Sequence, residues 1–215
     1  SVSKNKIEIE TILNSTLKNK RFGVFKTLLD EPLYAKAIEK IKKEGGLIFE
    51  FTPPEINYNG FRKILDVDMK NDLPKYLNKY SKNSIKNIKE IIDFNLKDSL
   101  KRAPYGQGIF KSIASNNTTD LEISEIKSRI KIEGKRYFDE AINKYDLDAV
   151  LSINNYHALY AAGAYYPCLT VPMGYRESGV PSNLTFIGPS YSEEKLYQLG
   201  YAFEKETNER ISPFN

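Results

Sequence analysis

The sequence predicts an α/β protein, a mixed β-sheet flanked by helices with a helical region inserted into it. Two observations carry that reading. Short runs of β-branched and aromatic residues, bounded by Gly or Pro, recur in the first quarter and the final third of the chain. A strand–helix–strand unit lies near the start, and such a unit needs a crossover that favours parallel pairing.

Residues 1–20 are polar. Ile7, Ile9, Ile12, Leu13 and Leu17 allow one weak helix or a linker. Lys20-Arg21-Phe22-Gly23-Val24-Phe25 reads as a strand behind a basic lead-in. Pro32 stands where a helix would start, and Leu33, Ala37, Ile38 and Ile41 follow at helical spacing. Gly45-Gly46 stops that helix, Leu47 to Phe51 forms the next strand, and Thr52-Pro53-Pro54 ends it. Residues 21–54 are thus a first part of the α/β core.

Residues 55–145 are rich in Lys, Asn, Asp, Ile and Tyr, with helical patterns near 59–80, 84–95 and 121–145. Breaks at Ala103–Gly108 and Ser115–Thr119 interrupt them, and the segment reads as a helical insertion. Residues 146–215 return to the core. Asp148–Ile153 is a strand, a strand over 168–172 is closed by Pro172, and Asn183–Ile187 is closed by Gly188-Pro189. Ser192 is placed to cap a last helix, with Glu193 and Glu194 in its first turn, where the positive helix end favours acids.

Composition narrows the function. The 215 residues are 40% hydrophobic and 28% charged, and no run reaches the roughly 18 apolar residues of a membrane helix. A single cysteine excludes an intrachain disulfide and fits a reducing, cytoplasmic setting. The net charge of +4 comes from 32 basic and 28 acidic residues. The lysines stand beside glutamates on helical faces, which argues against nucleic acid as a partner. One His and one Cys cannot build a zinc site, no carboxylate cluster has calcium-loop spacing, and no phosphate-binding Gly-rich loop occurs. No metal or other cofactor is expected.

The stretch from Tyr165 to Pro213 carries a resemblance. It contains Tyr-Tyr-Pro-Cys-Leu-Thr-Val-Pro-Met-Gly-Tyr, then Gly-Val-Pro-Ser-Asn-Leu-Thr-Phe-Ile-Gly-Pro, then a Ser-Glu-Glu-Lys-Leu helix and Arg-Ile-Ser-Pro. This resembles the C-terminal signature of the amidase-signature hydrolases, serine amidases that include the A subunit of the glutamyl-tRNA amidotransferase. Leu17-Lys18-Asn19-Lys20-Arg21-Phe22-Gly23-Val24 is similar to the family's entry into its post-catalytic half. Ile91-Ile92-Asp93-Phe94-Asn95 with Tyr105-Gly106-Gln107 is similar to the peptide-amidase-like branch.

The resemblance implies cleavage of a carboxamide C–N bond by a Lys, a cis-Ser and a nucleophilic Ser, the serines within a motif like Gly-Gly-Ser-Ser-Gly-Gly-Ser. No such motif lies between Ser1 and Asn215, where the only Gly-Gly pair is Gly45-Gly46. No catalytic residue of the family is therefore assigned to this chain, which is expected to be inactive alone. The start at Ser1-Val2 without a methionine suggests a fragment. Its expected partners are a small-molecule amide in the intact enzyme and the missing N-terminal amidase portion, or a second copy covering an open sheet edge. The alternatives are a non-catalytic α/β binding or scaffolding domain and part of an amidotransferase A subunit. The segment after the third strand lacks that subunit's longer acidic insertion.

Asn154-Asn155-Tyr156-His157 follows a strand end, where ligands of α/β sheets tend to lie. The resemblance implies that this loop borders the acyl pocket; by its residues alone it is also ordinary turn chemistry. Tyr105 and Gln107 sit in a Gly-flanked loop that either folds over a substrate or connects two helices. Cys168 and His157 formally offer a nucleophilic pair, but Cys168 follows Pro167 at the head of an expected buried strand, where a cysteine is inert packing. Arg210 is expected to pair with a carboxylate or a helix end.

Overall fold

The computed structural model describes residues 7–212. The first six residues of the 1–20 segment, and Pro213 at the end of the signature stretch, lie outside the described residues. The chain divides into two compact units, one made of residues up to Ile56 and from Lys131 onward, the other Asn57–Ile130.

The first unit is built on one five-stranded mixed sheet of order β2-β1-β3-β5-β4. Its strands are β1 (Arg21–Phe25), β2 (Leu47–Phe51), β3 (Ala149–Ile153), β4 (Cys168–Tyr175) and β5 (Pro181–Ile187). β1 pairs in parallel with both β2 and β3, while β5 runs antiparallel to β3 and β4. The five predicted strands thus share one sheet, and the parallel β1–β2 pair has the crossover its sequence demands.

β3 lies at the centre, and its five residues are all buried because both faces of the sheet are covered. On one face Leu151, Ile153, Phe22, Val24, Leu184 and Phe186 pack against α2 (Pro32–Lys43) and α9 (Glu193–Thr207). On the other, Val150, Phe25 and Ile187 meet Phe138 and Ala141, from the end of α7 (Asp120–Tyr145), and Ala161 and Ala164 of α8 (Ala158–Ala164). Alternation along the strands decides which side chain goes where. A short helix α1 (Ile9–Leu13) contacts α9.

Several local devices fix this frame. Pro32 occupies the first turn of α2, where its missing N–H costs nothing. Gly45 ends the turn after α2 at a φ of +79°, and at Gly46 a Cβ would lie 2.9 Å from the Ile41 carbonyl oxygen. Tyr34 of α2 is fully buried and donates its hydroxyl to the Leu151 carbonyl at 2.8 Å. At the other end of the sheet, Arg21 donates its Nε to the Tyr145 carbonyl and its guanidinium lies 4.3 Å from the Phe49 ring centre.

Three expectations of detail are corrected. Pro172 does not close β4: a register shift between Pro172 and Gly174 lets the strand run on to Tyr175. A bulge absorbs the proline because β4 is an edge strand. Ser192 precedes α9 but does not cap it with its side chain, since its hydroxyl donates back to the Pro189 carbonyl at 2.6 Å. Cys168 is exposed, because it heads an edge strand and not a buried one. In the C-terminal tail Glu209 forms an ion-pair bridge to Lys36 and Lys40 of α2.

The second unit is helical: α3 (Phe61–Tyr80), α4 (Ile88–Leu96), α5 (Ser99–Arg102), α6 (Gly108–Ser115) and the first part of α7. Val67, Ile88, Ile92, Ile113, Ile123, Ile126 and Ile130 are its buried apolar residues. Asp66 is buried among them, paired with Arg62 at 2.7 Å and accepting the Ser112 hydroxyl at 2.9 Å, which offsets the cost of hiding its charge. Asn87 caps α4 by accepting from the Glu90 N–H. Among the described residues no helix is long and apolar enough to cross a membrane.

Candidate functional site

The turn between β3 and α8 carries four of the predicted site residues. Asn154 adopts a left-handed conformation at φ 47°, which asparagine tolerates better than most residues. Its side-chain oxygen accepts the Asn183 backbone N–H at 2.9 Å, and its own N–H donates to the Asn183 carbonyl at 2.9 Å. The Thr185 hydroxyl donates to the Asn154 carbonyl. Asn154 is thereby a clamp between β3 and β5, and its polar atoms point into the sheet. Asn155 and Tyr156 project outward at the tip of the turn, and Tyr156 is half exposed.

His157 turns back under the sheet. Its Nδ1 lies 2.6 Å from the Ser152 hydroxyl, and its ring stacks on Phe25 with centroids 3.9 Å apart and planes 10° from parallel. Tyr137 and Tyr160 stand 6.0 and 6.2 Å away. Burial among these rings pushes the imidazole down to about 4, so it is neutral near pH 7. A neutral imidazole donates at one nitrogen and accepts at the other, so Nδ1 can pair with the fully buried Ser152 hydroxyl in either tautomer.

A Cys168–His157 couple does not form. His157 Nδ1 is engaged by Ser152, and Cys168 stands beside Ile187 at the start of β4. Desolvation by its surroundings pushes the Cys168 thiol up to about 11 although the residue is exposed overall, which leaves a thiol with little thiolate at neutral pH. Among the described residues no group of three or more His, Cys, Asp or Glu could hold a metal ion.

Tyr156 forms part of the wall of a cavity of about 740 Å³. The other walls are the segment Thr27–Leu33, which follows β1 and opens α2, and Tyr175, Arg176 and Glu177 at the end of β4. The cavity therefore lies off the C-terminal ends of two parallel strands, β1 and β3, and at the far end of β4. Arg176 and Glu31 approach across it at 3.6 Å. Asp30, Glu31, Tyr175, Arg176 and Glu177 are not legible as a group in the sequence, because they come from separate segments. The one available signal was an acidic pair directly before a helix-starting proline. Ser152 was legible only as a polar residue inside an apolar strand.

Tyr105 and Gln107 belong to the helical unit. Tyr105 is fully exposed. Gln107 ties two helices together: it accepts from the Asn95 amide at 3.1 Å and donates to the Ile92 carbonyl at 3.4 Å. Its amide is thus engaged inside that unit.

No family model matches the chain. Known proteins do resemble it. A probable amidase of Arabidopsis thaliana is 25% identical over 211 residues, which cover 94% of this chain and 41% of that protein. The A subunit of a glutamyl-tRNA(Gln) amidotransferase from Ruminiclostridium cellulolyticum is 23% identical over 93% of this chain and 47% of its own length. The crystal structure of an amidase family protein from Bacillus anthracis superimposes with a TM-score of 0.83 at 26% identity, over 93% of this chain and 40% of that one. The chain spans less than half the length of each of these proteins. Its homologues and structural neighbours are amidase-signature family proteins, as the residues from Tyr165 onward implied.

Proposed function

We propose that this chain is the C-terminal portion of an amidase-signature hydrolase that cleaves a carboxylic amide C–N bond. The supporting observation is likeness in both sequence and backbone to amidases along more than nine-tenths of the chain. The nucleophilic Ser, the cis-Ser and the Lys lie outside this chain, on the N-terminal portion that is its partner. In the intact enzyme the Ser attacks the amide carbonyl, backbone N–H groups hold the oxyanion, and water releases the acyl group. The five-stranded sheet supports that centre, and the turn Asn154–His157 shapes the acyl pocket through Asn155 and Tyr156. Tyr105 is a second candidate for substrate contact, on the exposed loop of the helical unit.

The test is an assay of this chain alone and of a longer protein that supplies the Ser–cis-Ser–Lys core, on a panel of small carboxamides. The chain alone is expected to leave every amide intact, because loss of a nucleophile costs several orders of magnitude in rate. Turnover by the isolated chain that persists in Cys168→Ser would overturn the division of labour. A longer protein that cleaves none of the amides would overturn the activity.

A further inference from the structure

The cavity beside Tyr156 carries an unbalanced charge. Asp30, Glu31 and Glu177 supply three carboxylates, and Arg176 supplies the one cation of its lining, which leaves a net charge of −2 by difference. Helix α2 opens on this wall, and its positive end counts for only about half a charge. That end also begins with Pro32, which has no N–H to offer an anion. The carboxylates therefore outweigh both sources of positive potential. Arg176 is in turn drawn toward Glu31, at 3.6 Å, so it is not free to receive an anion.

Apart from Thr27, the rest of the lining is apolar or aromatic. Leu28 and Leu33 contribute aliphatic surface, and Tyr156 and Tyr175 contribute rings. An ammonium group is attracted both to carboxylate oxygens and to the faces of such rings, and a hydrocarbon stem suits the leucines.

We propose that this cavity binds a primary ammonium group carried on an apolar or aromatic stem. Three chain segments that are distant in sequence converge to make it, and the turn bearing Tyr156 is held in place by the Asn154 clamp and by the Ser152–His157 contact. Its wall is in that sense formed before any ligand arrives, which lowers the entropic cost of binding. Resting on the amide-hydrolysis reading, the inference adds the substrate class: amides whose acyl part bears an ammonium group. The binding itself does not depend on that reading.

The experiment uses the 215-residue chain and no amide bond, so its failure is separate from failure of the hydrolase reading. Phenethylamine and 3-phenylpropionate are titrated while the ring signals of the tyrosines are followed by NMR, with Tyr156→Phe and Tyr175→Phe to assign them. Phenethylamine is expected to shift both rings, and 3-phenylpropionate to shift neither. The triple variant D30N/E31Q/E177Q is expected to weaken the amine about tenfold. In the unaltered chain, raising salt from about 50 mM to about 500 mM is expected to weaken it severalfold, which needs no variant to fold. Absence of amine binding, equal binding of the carboxylate, or an affinity indifferent to both the triple variant and salt overturns the proposal.

Discussion

The hydroxyl of Ser152 and Nδ1 of His157 lie 2.6 Å apart, joining the middle of a central strand to the turn that follows it. Burial keeps this imidazole neutral near pH 7 by lowering its pKa to about 4.

Stability should therefore depend on pH through this one histidine. In the unfolded chain an ordinary histidine protonates near 6.5, whereas in the folded chain it waits until about 4. Between those values the unfolded state binds more protons, so stability rises with pH and is lost as pH falls through the window. The loss by pH 4 is about 3 kcal/mol at most. Urea unfolding at pH 7 and pH 4.5 checks this. His157→Gln should show a clearly flatter slope between the two, and equal slopes would remove His157 from the account.

Tyr34 offers a second test. Its hydroxyl is buried and donates to the Leu151 carbonyl, and burial pushes the phenol well above its ordinary range. Tyr34→Phe keeps the ring and leaves that carbonyl without this donor, at a cost of about 1–2 kcal/mol. The denaturation midpoint should fall with an unchanged m-value, because no large surface is newly exposed.

These two residues also mark what the sequence made legible. Strand runs punctuated by Gly and Pro located all five strands, because pleat periodicity and turn chemistry are local. The helix bearing Tyr34 was legible from Pro32 and the spacing of Ala37, Ile38 and Ile41. The burial of its phenol beneath β3 was not, because that partner lies 117 residues away. The fate of Cys168 and the continuation of β4 past Pro172 depended on strand order, which places β4 at an edge and which no local pattern encodes. At the site, the turn Asn154–His157 could be read from its place after a strand. The inward roles of Asn154 and His157 could not, since both follow from neighbours on other strands.

Cys168 should react slowly for an exposed thiol. With its pKa pushed up to about 11 from an ordinary 9, the thiolate fraction at pH 8 falls roughly a hundredfold. Iodoacetamide labelling at pH 8 should be at least about tenfold slower in the folded chain than in urea. Equal rates would show that the surroundings of the sulfur do not hold it protonated.

On the proposed amide-hydrolase reading, Asn155→Ala and Tyr156→Ala in the longer protein should change kcat/KM between amide substrates by about 1–3 kcal/mol, the scale of a few pocket contacts. Asn154→Ala should act differently, lowering stability more than selectivity, because its side chain clamps β3 to β5. Paired measurements of melting temperature and substrate preference separate the two behaviours. Substrate preferences unchanged at 155 and 156 would detach this turn from the pocket.

The bulge at Pro172 gives the sheet two unlike margins. On the β4 side a residue without an N–H and a shifted register interrupt the row of donors and acceptors that an incoming strand would have to match. On the β2 side the run Leu47-Ile48-Phe49-Glu50-Phe51 has neither interruption, and among the described residues its outer rim pairs with no strand. A strand added to this sheet is therefore expected beside Leu47–Phe51 and not beside β4.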